Sequence, residues 1–287
     1  MNGRYGLTAG FLLSLKIALP LTACLPSHAW ADPVGDRLEL QQFFKQRFPQ
    51  LQRQDFAEGV YAIDPIARQS WLAIEEFPPY EPALDAGKKL YNQPFANGHR
   101  YADCFPNQGI GIAQLYPKWD AVAGEVITLE KALNDCRVLH DQAPLPYQKG
   151  DIASILAYMA YTSRGNAIKA SIPSDDPRAL AAYEQGKRFY YTRRGQLNFS
   201  CASCHNQNAG KKIRSEILSP VLGHTSHWPV YRLAWGEMGT LHRRFNDCFE
   251  LLRMPLLPAQ GIELRNLEYF LSFMDNGIAL NGPSTRK

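Results

Sequence analysis

Apolar residues recur at helical spacing in two stretches near the carboxyl end of the chain. In residues 262–274 they fall on one helical face, and Gly277 follows as a stop. In residues 241–252 they follow Thr240, a residue type that often caps the start of a helix. Both stretches are therefore predicted to be helices. The apolar positions are Leu264, Leu267, Phe270, Leu271 and Met274 in the later stretch, and Leu241, Phe245, Cys248 and Leu252 in the earlier one.

Further helices are predicted from the same kinds of signal upstream. Asp176 followed by Pro177 is typical of an N-cap and a first helical residue. Thr128 opens a counterpart of the helix that follows Thr240, and one more helix is expected near residues 36–46. Because helical spacing accounts for most of the apolar pattern, the fold class is predicted to be mostly α.

The chain contains an internal repeat. The segment TLEKALNDC, beginning at Thr128, is matched by TLHRRFNDC, beginning at Thr240, and the alignment runs without gaps to Gly165 and Gly277. In this alignment residues 150–163 correspond to the last predicted helix. Two copies of one domain-sized unit indicate a tandem duplication.

The repeat and the segments on either side of it divide the chain into five predicted parts. They are a signal peptide over residues 1–31, an N-terminal extension over 32–76, a first domain over 77–165, a linker over 166–176 and a second domain over 177–287. The linker has a proline, serines and adjacent aspartates, which are typical of connecting segments.

The first residues have the pattern of an export signal. Arg4 precedes an apolar run over residues 11–23, and Ala29-Trp30-Ala31 forms a cleavage site of the A-x-A type. The run is too short for a transmembrane anchor, so no membrane span is expected. A lipobox-like segment ending at Cys24 is the alternative, with a lipid on that cysteine. In either case the mature protein is predicted to be periplasmic, where thiols are readily oxidised.

The strongest chemical signal is the segment CASCH at residues 201–205, which has the CxxCH pattern of covalent haem attachment. Cys201 and Cys204 are expected to form thioethers with haem c, and His205 is expected to bind the iron as its proximal ligand. The first repeat has YADCF at residues 101–105, without the first cysteine or the histidine. The two domains are therefore predicted to be cytochrome c-like, with one haem c in the second and none in the first.

The chain has six cysteines, and one of them is left without a partner. Cleavage of the signal peptide removes Cys24, and haem attachment uses two more. Cys104 has no haem in its own domain, and Cys136 occupies the repeat position of Cys248. If Cys248 lies at the haem, Cys136 should lie near Cys104, so we predict a disulfide between Cys104 and Cys136. Such a disulfide contributes about 2–4 kcal/mol by loop closure.

Cys248 is the favoured ligand for the sixth position of the iron. A thiolate is a strong donor, and coordination would protect an odd thiol from oxidation. Met254 is the alternative, because methionine is the usual ligand in electron-transfer cytochromes c, and the chain would then be a plain His/Met electron carrier. Met274 is expected to pack within its helix. His224 and His227 are expected to be solvated or to cap turns.

Arg244 is a candidate substrate-binding residue. It lies four residues before Cys248, so both side chains should lie on the same helix face, and Ala132 takes its place in the first repeat. A guanidinium there can bind an oxyanion. The chain has a net charge of +4, and its basic residues are concentrated between Lys187 and Arg265, which favours small anions or an acidic partner. No nucleic-acid-binding module is recognised, so no nucleic-acid partner is expected.

These residues together resemble the SoxA family, the cytochrome subunits of the SoxAX complex of bacterial sulfur oxidation. The resemblance covers both domains and the CxxCH motif, and its most specific segment is RFNDC at residues 244–248. Residues 101–105 depart from the members that bind two haems, so the chain resembles the single-haem type.

The resemblance implies L-cysteine S-thiosulfotransferase activity. Thiosulfate is joined oxidatively to a cysteine of the carrier protein SoxYZ, and two electrons are released. Cys248 is implied to be both the axial haem ligand and the active-site cysteine, modified to a persulfide, and Arg244 to bind the substrate. The implied partners are SoxX, which forms a heterodimer with this subunit, and a small cytochrome c that accepts the electrons.

We expect one covalent haem per chain, because residues 201–205 alone in the sequence offer both cysteines and the histidine. The haem concentration from the pyridine haemochrome spectrum, divided by the protein concentration, should give a ratio of one. A ratio of two would contradict the interpretation of residues 101–105 as a haemless segment.

Overall fold

Helices dominate the computed structural model, which describes residues 1–3, 6, 32–214 and 216–287. The last helix has the bounds that its apolar face predicts, and three other helices begin directly after the caps Thr128, Asp176 and Thr240. The helices are α1 (Pro33–Arg47), α2 (Pro65–Glu75), α3 (Glu81–Asn92), α4 (Leu129–Leu139), α5 (Asp151–Tyr161), α6 (Pro177–Tyr191), α7 (Leu241–Leu251) and α8 (Ile262–Met274).

Short strands lie between the helices. Three antiparallel pairs join β1 to β2, β3 to β4 and β5 to β6, and β7 adds a parallel strand to β5. Trp119 is paired with Val126 in the first hairpin, and Tyr231 with Met238 in the third. The strands are β1 (Lys118–Asp120), β2 (Glu125–Ile127), β3 (Lys212–Ile213), β4 (Glu216–Ile217), β5 (Val230–Arg232), β6 (Glu237–Gly239) and β7 (Ser284–Arg286).

The same order of elements occurs twice within residues 31–287, which form one compact unit. A helix, a hairpin and two further helices follow one another, as α3, β1–β2, α4 and α5 in the first half and as α6, β5–β6, α7 and α8 in the second. Asn134 in α4 holds the backbone of Leu145 by two hydrogen bonds, and Asn246 in α7 holds the backbone of Leu257 in the same way. The two halves therefore share local contacts as well as element order.

Each half contains a helix crossing that only glycine allows. A Cβ atom on Gly87 of α3 would lie 1.8 Å from the backbone oxygen of Ser154 in α5. A Cβ atom on Gly186 of α6 would lie 2.0 Å from the backbone oxygen of Asn266 in α8. Backbones at this separation leave no room for any larger side chain, so both helix pairs pack unusually closely at equivalent positions.

A buried polar network joins the two halves. Gln260, which precedes α8, donates from its side chain to Glu130 of α4 at 2.7 Å and accepts from the hydroxyl of Thr128 at 2.5 Å. The backbone N–H of Gln260 donates to His242 of α7 at 3.1 Å, and the other ring nitrogen of His242 lies 3.0 Å from Glu268 of α8. Since buried polar groups are costly unless they are paired, these contacts fix α4, α7 and α8 relative to one another.

The N-terminal extension packs against the second half of the chain. Asp32 caps α1 by accepting from the backbone N–H of Gly35 at 2.9 Å. Asp36 of α1 accepts from Tyr183 at 2.8 Å and lies 2.6 Å from the ammonium of Lys187, both in α6. Helix α1 is longer than the helix predicted near residues 36–46, and α2 is a helix that the spacing did not predict.

The predicted export signal, with its alternative at Cys24, lies outside the described residues apart from four positions at its start. In the described part of the chain, no helix is both long enough and apolar enough to cross a membrane.

Candidate functional site

The CxxCH segment begins with a pair of reciprocal serine contacts. The hydroxyl of Ser200 accepts from the backbone N–H of Ser203 at 3.1 Å, and the hydroxyl of Ser203 accepts from the backbone N–H of Ser200 at 3.1 Å. Both serines are buried. The chain then passes through a single wide turn of π-helix over Ser203–Gln207, which contains His205. These local bonds fix the backbone from which Cys201, Cys204 and His205 project.

His205 has a defined ring orientation. Its Nδ1 lies 2.9 Å from the backbone oxygen of Ser219, and a neutral imidazole in this contact donates from Nδ1. Burial lowers the pKa of His205 to about 4, so the ring is neutral near pH 7. The hydrogen-bonded Nδ1 leaves the lone pair on Nε2, which is the atom that a proximal haem ligand offers to iron.

A second histidine packs on this ligand. The rings of His205 and His224 are 4.4 Å apart between centroids and nearly perpendicular, and Nε2 of His224 lies 2.8 Å from the hydroxyl of Ser219. Ser219 thus contacts both rings, one through its carbonyl oxygen and one through its hydroxyl. The sequence placed His224 and His227 in a loop as solvated or capping residues; His227 is instead buried, and His224 supports His205.

One buried carboxyl holds the loop that contains His224. Asp275, directly after α8, accepts from the backbone N–H of Gly223 at 2.7 Å and from the N–H and hydroxyl of Thr225 at 2.9 Å and 2.8 Å. Burial raises the pKa of Asp275 to about 6, while the donated hydrogen bonds act in the opposite direction. The sequence pattern contains no signal for this residue, since its partners lie far away along the chain.

Cys248 lies near the attachment cysteines. Among the described residues, the cysteines outside a disulfide are Cys201, Cys204 and Cys248. Burial, and to a lesser extent the charge of Cys248, raises the pKa of Cys201 to about 12. Burial and the charge of Cys248 also raise the pKa of Cys204. The three sulfur atoms therefore lie within electrostatic reach of one another.

The surroundings of these cysteines fit a haem c. Cys201 packs against the main apolar cluster, as does Phe245 from α7. Covalent haem attachment requires two thiols at CxxCH spacing, an imidazole with its Nε2 available and apolar side chains around the cofactor. The apolar cluster beside Cys201 includes Tyr190, Ala202, Leu267, Phe270 and Met274.

Two guanidinium groups lie beside Asp247, the residue before Cys248. Arg244 is 3.7 Å from a carboxylate oxygen of Asp247, and Arg232 of β5 is 3.3 Å from the same oxygen. Burial lowers the pKa of Arg232, and the charge of Arg244 lowers it further, while Cys248 acts in the opposite direction. Trp235 donates to Asp247 at 2.9 Å and fixes that carboxylate. Two arginines therefore meet at the carboxylate of the residue before Cys248, and the sequence predicted only Arg244 of the two.

The remaining candidates for the sixth iron ligand have different environments. Met274 is buried in the main apolar cluster, as its helical spacing predicts. Met254 is half-buried and follows the end of α7. Met238 is buried in a separate small cluster with Tyr80. Cys248 therefore stays the predicted ligand, with Met254 as the alternative.

The segment YADCF of the first half, at residues 101–105, has a different arrangement. Cys104 and Cys136 form a disulfide with a Cα–Cα distance of 5.8 Å, which is the pairing expected from the repeat. Tyr101 is buried and its ring stacks on that of Tyr91 at 5.6 Å, with Phe95 packed edge-on at 4.9 Å. Aromatic side chains and a disulfide thus occupy the region that corresponds to the CxxCH segment.

The titration of Asp275 predicts a pH dependence of stability. The folded-state pKa of about 6 lies above the unfolded value of about 3.9, so the folded chain binds this proton more tightly. The resulting stability is present at low pH and is lost as the pH rises through about 6. Relative to Asp275→Asn, the unfolding free energy of the wild-type protein should fall by about 1–3 kcal/mol between pH 4 and pH 7.

Denaturant unfolding at several pH values measures this difference directly. Asp85→Asn, on the exposed face of α3, is the matched control and should show no such dependence. An offset between wild type and Asp275→Asn that stays constant with pH would contradict the assignment.

Comparison with known proteins places this geometry in a family. The family model described as SoxA/TsdA, cytochrome c domain, matches residues 86–168. This is the half that lacks the CxxCH segment, so that half resembles a cytochrome c domain despite its missing haem ligands.

Whole-chain relatives and a solved structure agree with that match. The chain is 55% identical to the L-cysteine S-thiosulfotransferase subunit SoxA of Allochromatium vinosum, over 97% of this chain and 99% of the relative. It is 46% identical to the SoxA subunit of Chlorobaculum tepidum, over 96% and 95%. The crystal structure of SoxXA from Paracoccus pantotrophus superposes with a TM-score of 0.69 at 29% identity, covering 76% of this chain and 84% of that one. The mostly helical fold is therefore cytochrome c-like, and the chain belongs to the SoxA family of L-cysteine S-thiosulfotransferase subunits.

Proposed function

We propose that this chain is a single-haem SoxA subunit that joins thiosulfate to a cysteine of the SoxYZ carrier protein in the periplasm. The observation that carries the proposal is the position of Cys248 directly after Asp247 on α7, where the Asp247 carboxylate lies 3.7 Å from Arg244 and 3.3 Å from Arg232. A reactive sulfur, an electron-accepting cofactor and an anion site in one pocket are what oxidative transfer of thiosulfate requires.

The cofactor is held by the residues of the CxxCH segment. Cys201 and Cys204 would attach haem c through thioethers, and His205 and Cys248 would be the residues that bind its iron. When bound, the haem would accept one electron at a time. The contact from Nδ1 of His205 to Ser219 orients the ring for this role.

The reaction balances as an oxidative coupling of two sulfur groups. A carrier thiol and thiosulfate become a cysteine S-thiosulfonate, one proton and two electrons. The sulfur of Cys248, as thiol or as persulfide, first bonds to the outer sulfur of thiosulfate, with loss of the proton and the two electrons. The carrier thiolate then attacks that outer sulfur and releases Cys248 in the form with which it began, as a thiolate or as a persulfide anion.

Arg244 and Arg232 hold the anionic end of the substrate. Thiosulfate is a dianion, and a planar guanidinium donates paired hydrogen bonds to its oxygens. Arg232 is 13% exposed and Arg244 is 29% exposed, so both charges are partly shielded from water. Asp247 lies close enough to both to keep their side chains together before substrate binds.

The partners follow from the electron count and from the relatives. Two electrons leave the reaction and one haem accepts one at a time, so a second acceptor must be close. SoxX, which accompanies SoxA in the matching SoxXA structure, fits this role as the other half of a heterodimer. A small cytochrome c then receives the electrons, and an acidic face on such partners would complement the basic second half of the chain.

The domain organisation is part of the same proposal. Residues 77–165 are a cytochrome c-like domain that holds no haem, and residues 177–287 are the haem-binding copy. The repeated element order, the matched asparagine contacts and the paired glycine crossings support descent of both from one duplicated unit. Residues 32–76 are the extension, and residues 166–176 are the linker.

Replacing Cys248 by methionine should separate electron transfer from sulfur chemistry. The haem should stay attached, because Cys201, Cys204 and His205 are untouched, and a thioether can take the axial position. Thiosulfate-dependent electron release with SoxYZ should be abolished, because methionine cannot form a persulfide. Reduction of an acceptor cytochrome c measures turnover, and the near-infrared spectrum shows the ligand change. Turnover of Cys248→Met at the original rate would leave the plain His/Met electron carrier as the function.

Removing Arg244 should weaken turnover while the haem spectrum stays nearly unchanged. Loss of a charge-assisted contact costs about 1.5–3 kcal/mol, so kcat/KM of Arg244→Ala should fall about ten- to more than a hundredfold. The matched control is Arg243→Ala, which removes the same charge from the neighbouring residue. Arg243 faces Glu237 at 3.0 Å and packs on Trp235, so its kcat/KM should change by about twofold or less. Equal losses in the two variants would contradict a binding role for Arg244.

A further inference from the structure

The disulfide of the haemless half has a histidine beside it. The sulfur atoms of Cys104 and Cys136 and a ring nitrogen of His140 all lie within 4.8 Å of one another. Cys136 belongs to the last turns of α4, and His140 caps the same helix one turn later. Cys104 ends the short helical turn Tyr101–Cys104. Three donors from two segments therefore converge on one point.

The backbone and the ring of His140 each have defined neighbours. Its backbone oxygen accepts from the side-chain amides of Gln142 at 3.0 Å and Asn97 at 3.3 Å. The ring of His99 stacks on it with a centroid distance of 4.4 Å, and Nδ1 of His99 lies 3.2 Å from Asp103. Because about half of the His99 and Asp103 side chains is exposed, a small ion can reach the cluster from solvent.

Two thiolates and an imidazole are a donor set typical of zinc. Zinc bonds to sulfur at about 2.3 Å and to histidine nitrogen at about 2.0–2.1 Å, usually with tetrahedral geometry. In that geometry two thiolates lie about 3.8 Å apart, so the sulfur–sulfur bond must first open. The ring nitrogen of His140 already lies close enough to both sulfurs for small side-chain rotations to complete the site.

We propose that reduction of the Cys104–Cys136 disulfide converts this cluster into a binding site for a zinc-class divalent cation. Cys104, Cys136 and His140 are its ligands, and the fourth position is taken by water or by His99. The region that corresponds to the haem site in the second half is then a redox-controlled metal site in the first. This inference is independent of the proposed reaction at Cys248.

The conversion balances in two steps. A dithiol reductant of the thioredoxin class gives two electrons and two protons to the disulfide and becomes a disulfide itself, which leaves Cys104 and Cys136 as thiols. A divalent cation then binds both sulfurs and displaces their two protons. Reoxidation to the disulfide releases the cation.

The test uses the full-length, haem-loaded protein with Cys248→Met, so that the thiols produced by reduction are those of Cys104 and Cys136. The protein is reduced with a phosphine, the new thiols are counted, and Zn²⁺ is added before desalting under argon. Mass spectrometry of the eluted metal should give one zinc per chain after reduction and none before it. Competition with a fluorescent zinc chelator then gives the affinity.

Ligand variants decide whether the bound zinc lies at the proposed site. His140→Ala should weaken zinc binding by at least about tenfold, the loss typical even for partners outside the first ligand shell. This variant keeps the disulfide, so an unchanged thermal midpoint in the oxidised form shows that it is folded. His99→Ala separates the two candidates for the fourth position, weakening binding if the imidazole is a ligand and leaving it unchanged if water is.

Several results would overturn the proposal. They are a disulfide that resists the phosphine in the folded protein, a reduced protein that retains no zinc, retention of zinc without reduction, and equal affinity in wild type and His140→Ala. Each would show that the three donors do not form a redox-controlled site.

Discussion

The position of the site depends on a buried polar network between the two halves of the chain. Glu130 is 5% exposed, and burial raises its pKa, so this carboxyl requires hydrogen-bond donors. Gln260 and the backbone N–H of Gln148 supply them at 2.7 Å and 2.6 Å. Leaving such a group unpaired costs about 1–3 kcal/mol or more. The network therefore permits only a narrow range of positions for α7, the helix that contains Arg244 and Cys248.

Local electrostatics then distinguish the groups within the pocket. Burial favours the neutral forms of His205 and Cys201, because each would lose hydration as an ion. Asp247 lies beside Arg244 and Arg232 and compensates part of their positive charge. The neutral, oriented imidazole of His205 is suited to a covalent cofactor. The cationic helix α7, which contains Cys248, is suited to an anionic substrate.

The two halves show how one framework supports different chemistry. Both keep the hairpin, a helix that follows a threonine and the glycine crossing, so these features serve folding, although Thr128 caps α4 through its side chain and Thr240 makes no such bond to α7. The first half has a disulfide that closes a sequence separation of 32, and such a loop contributes about 2–4 kcal/mol. Aromatic packing around Tyr101 supplies apolar contacts in that region. A covalent cofactor in the second half would supply apolar contacts of the same kind, beside the cluster against which Cys201 packs.

The sequence by itself determined most of the helices, the CxxCH segment and the odd cysteine. These signals act over a few residues, so they can be recognised in the sequence alone. They are the periodic apolar spacing, the residues Thr128, Asp176 and Thr240 at helix starts, and the CxxCH pattern. The repeat also predicted a long-range contact. Because Cys136 is at the repeat position of Cys248, it was expected to pair with Cys104.

Only the tertiary structure decided what surrounds those residues. Arg232 reaches Cys248 from a hairpin, His224 packs on His205 from a loop, and Asp275 holds that loop from the end of α8. None of these contacts has a fixed spacing along the chain, because each depends on how separate segments meet when apolar surface is buried. Burial also sets the pKa values of His205 and Asp275, and burial is a property of the packed fold, which residue spacing does not specify.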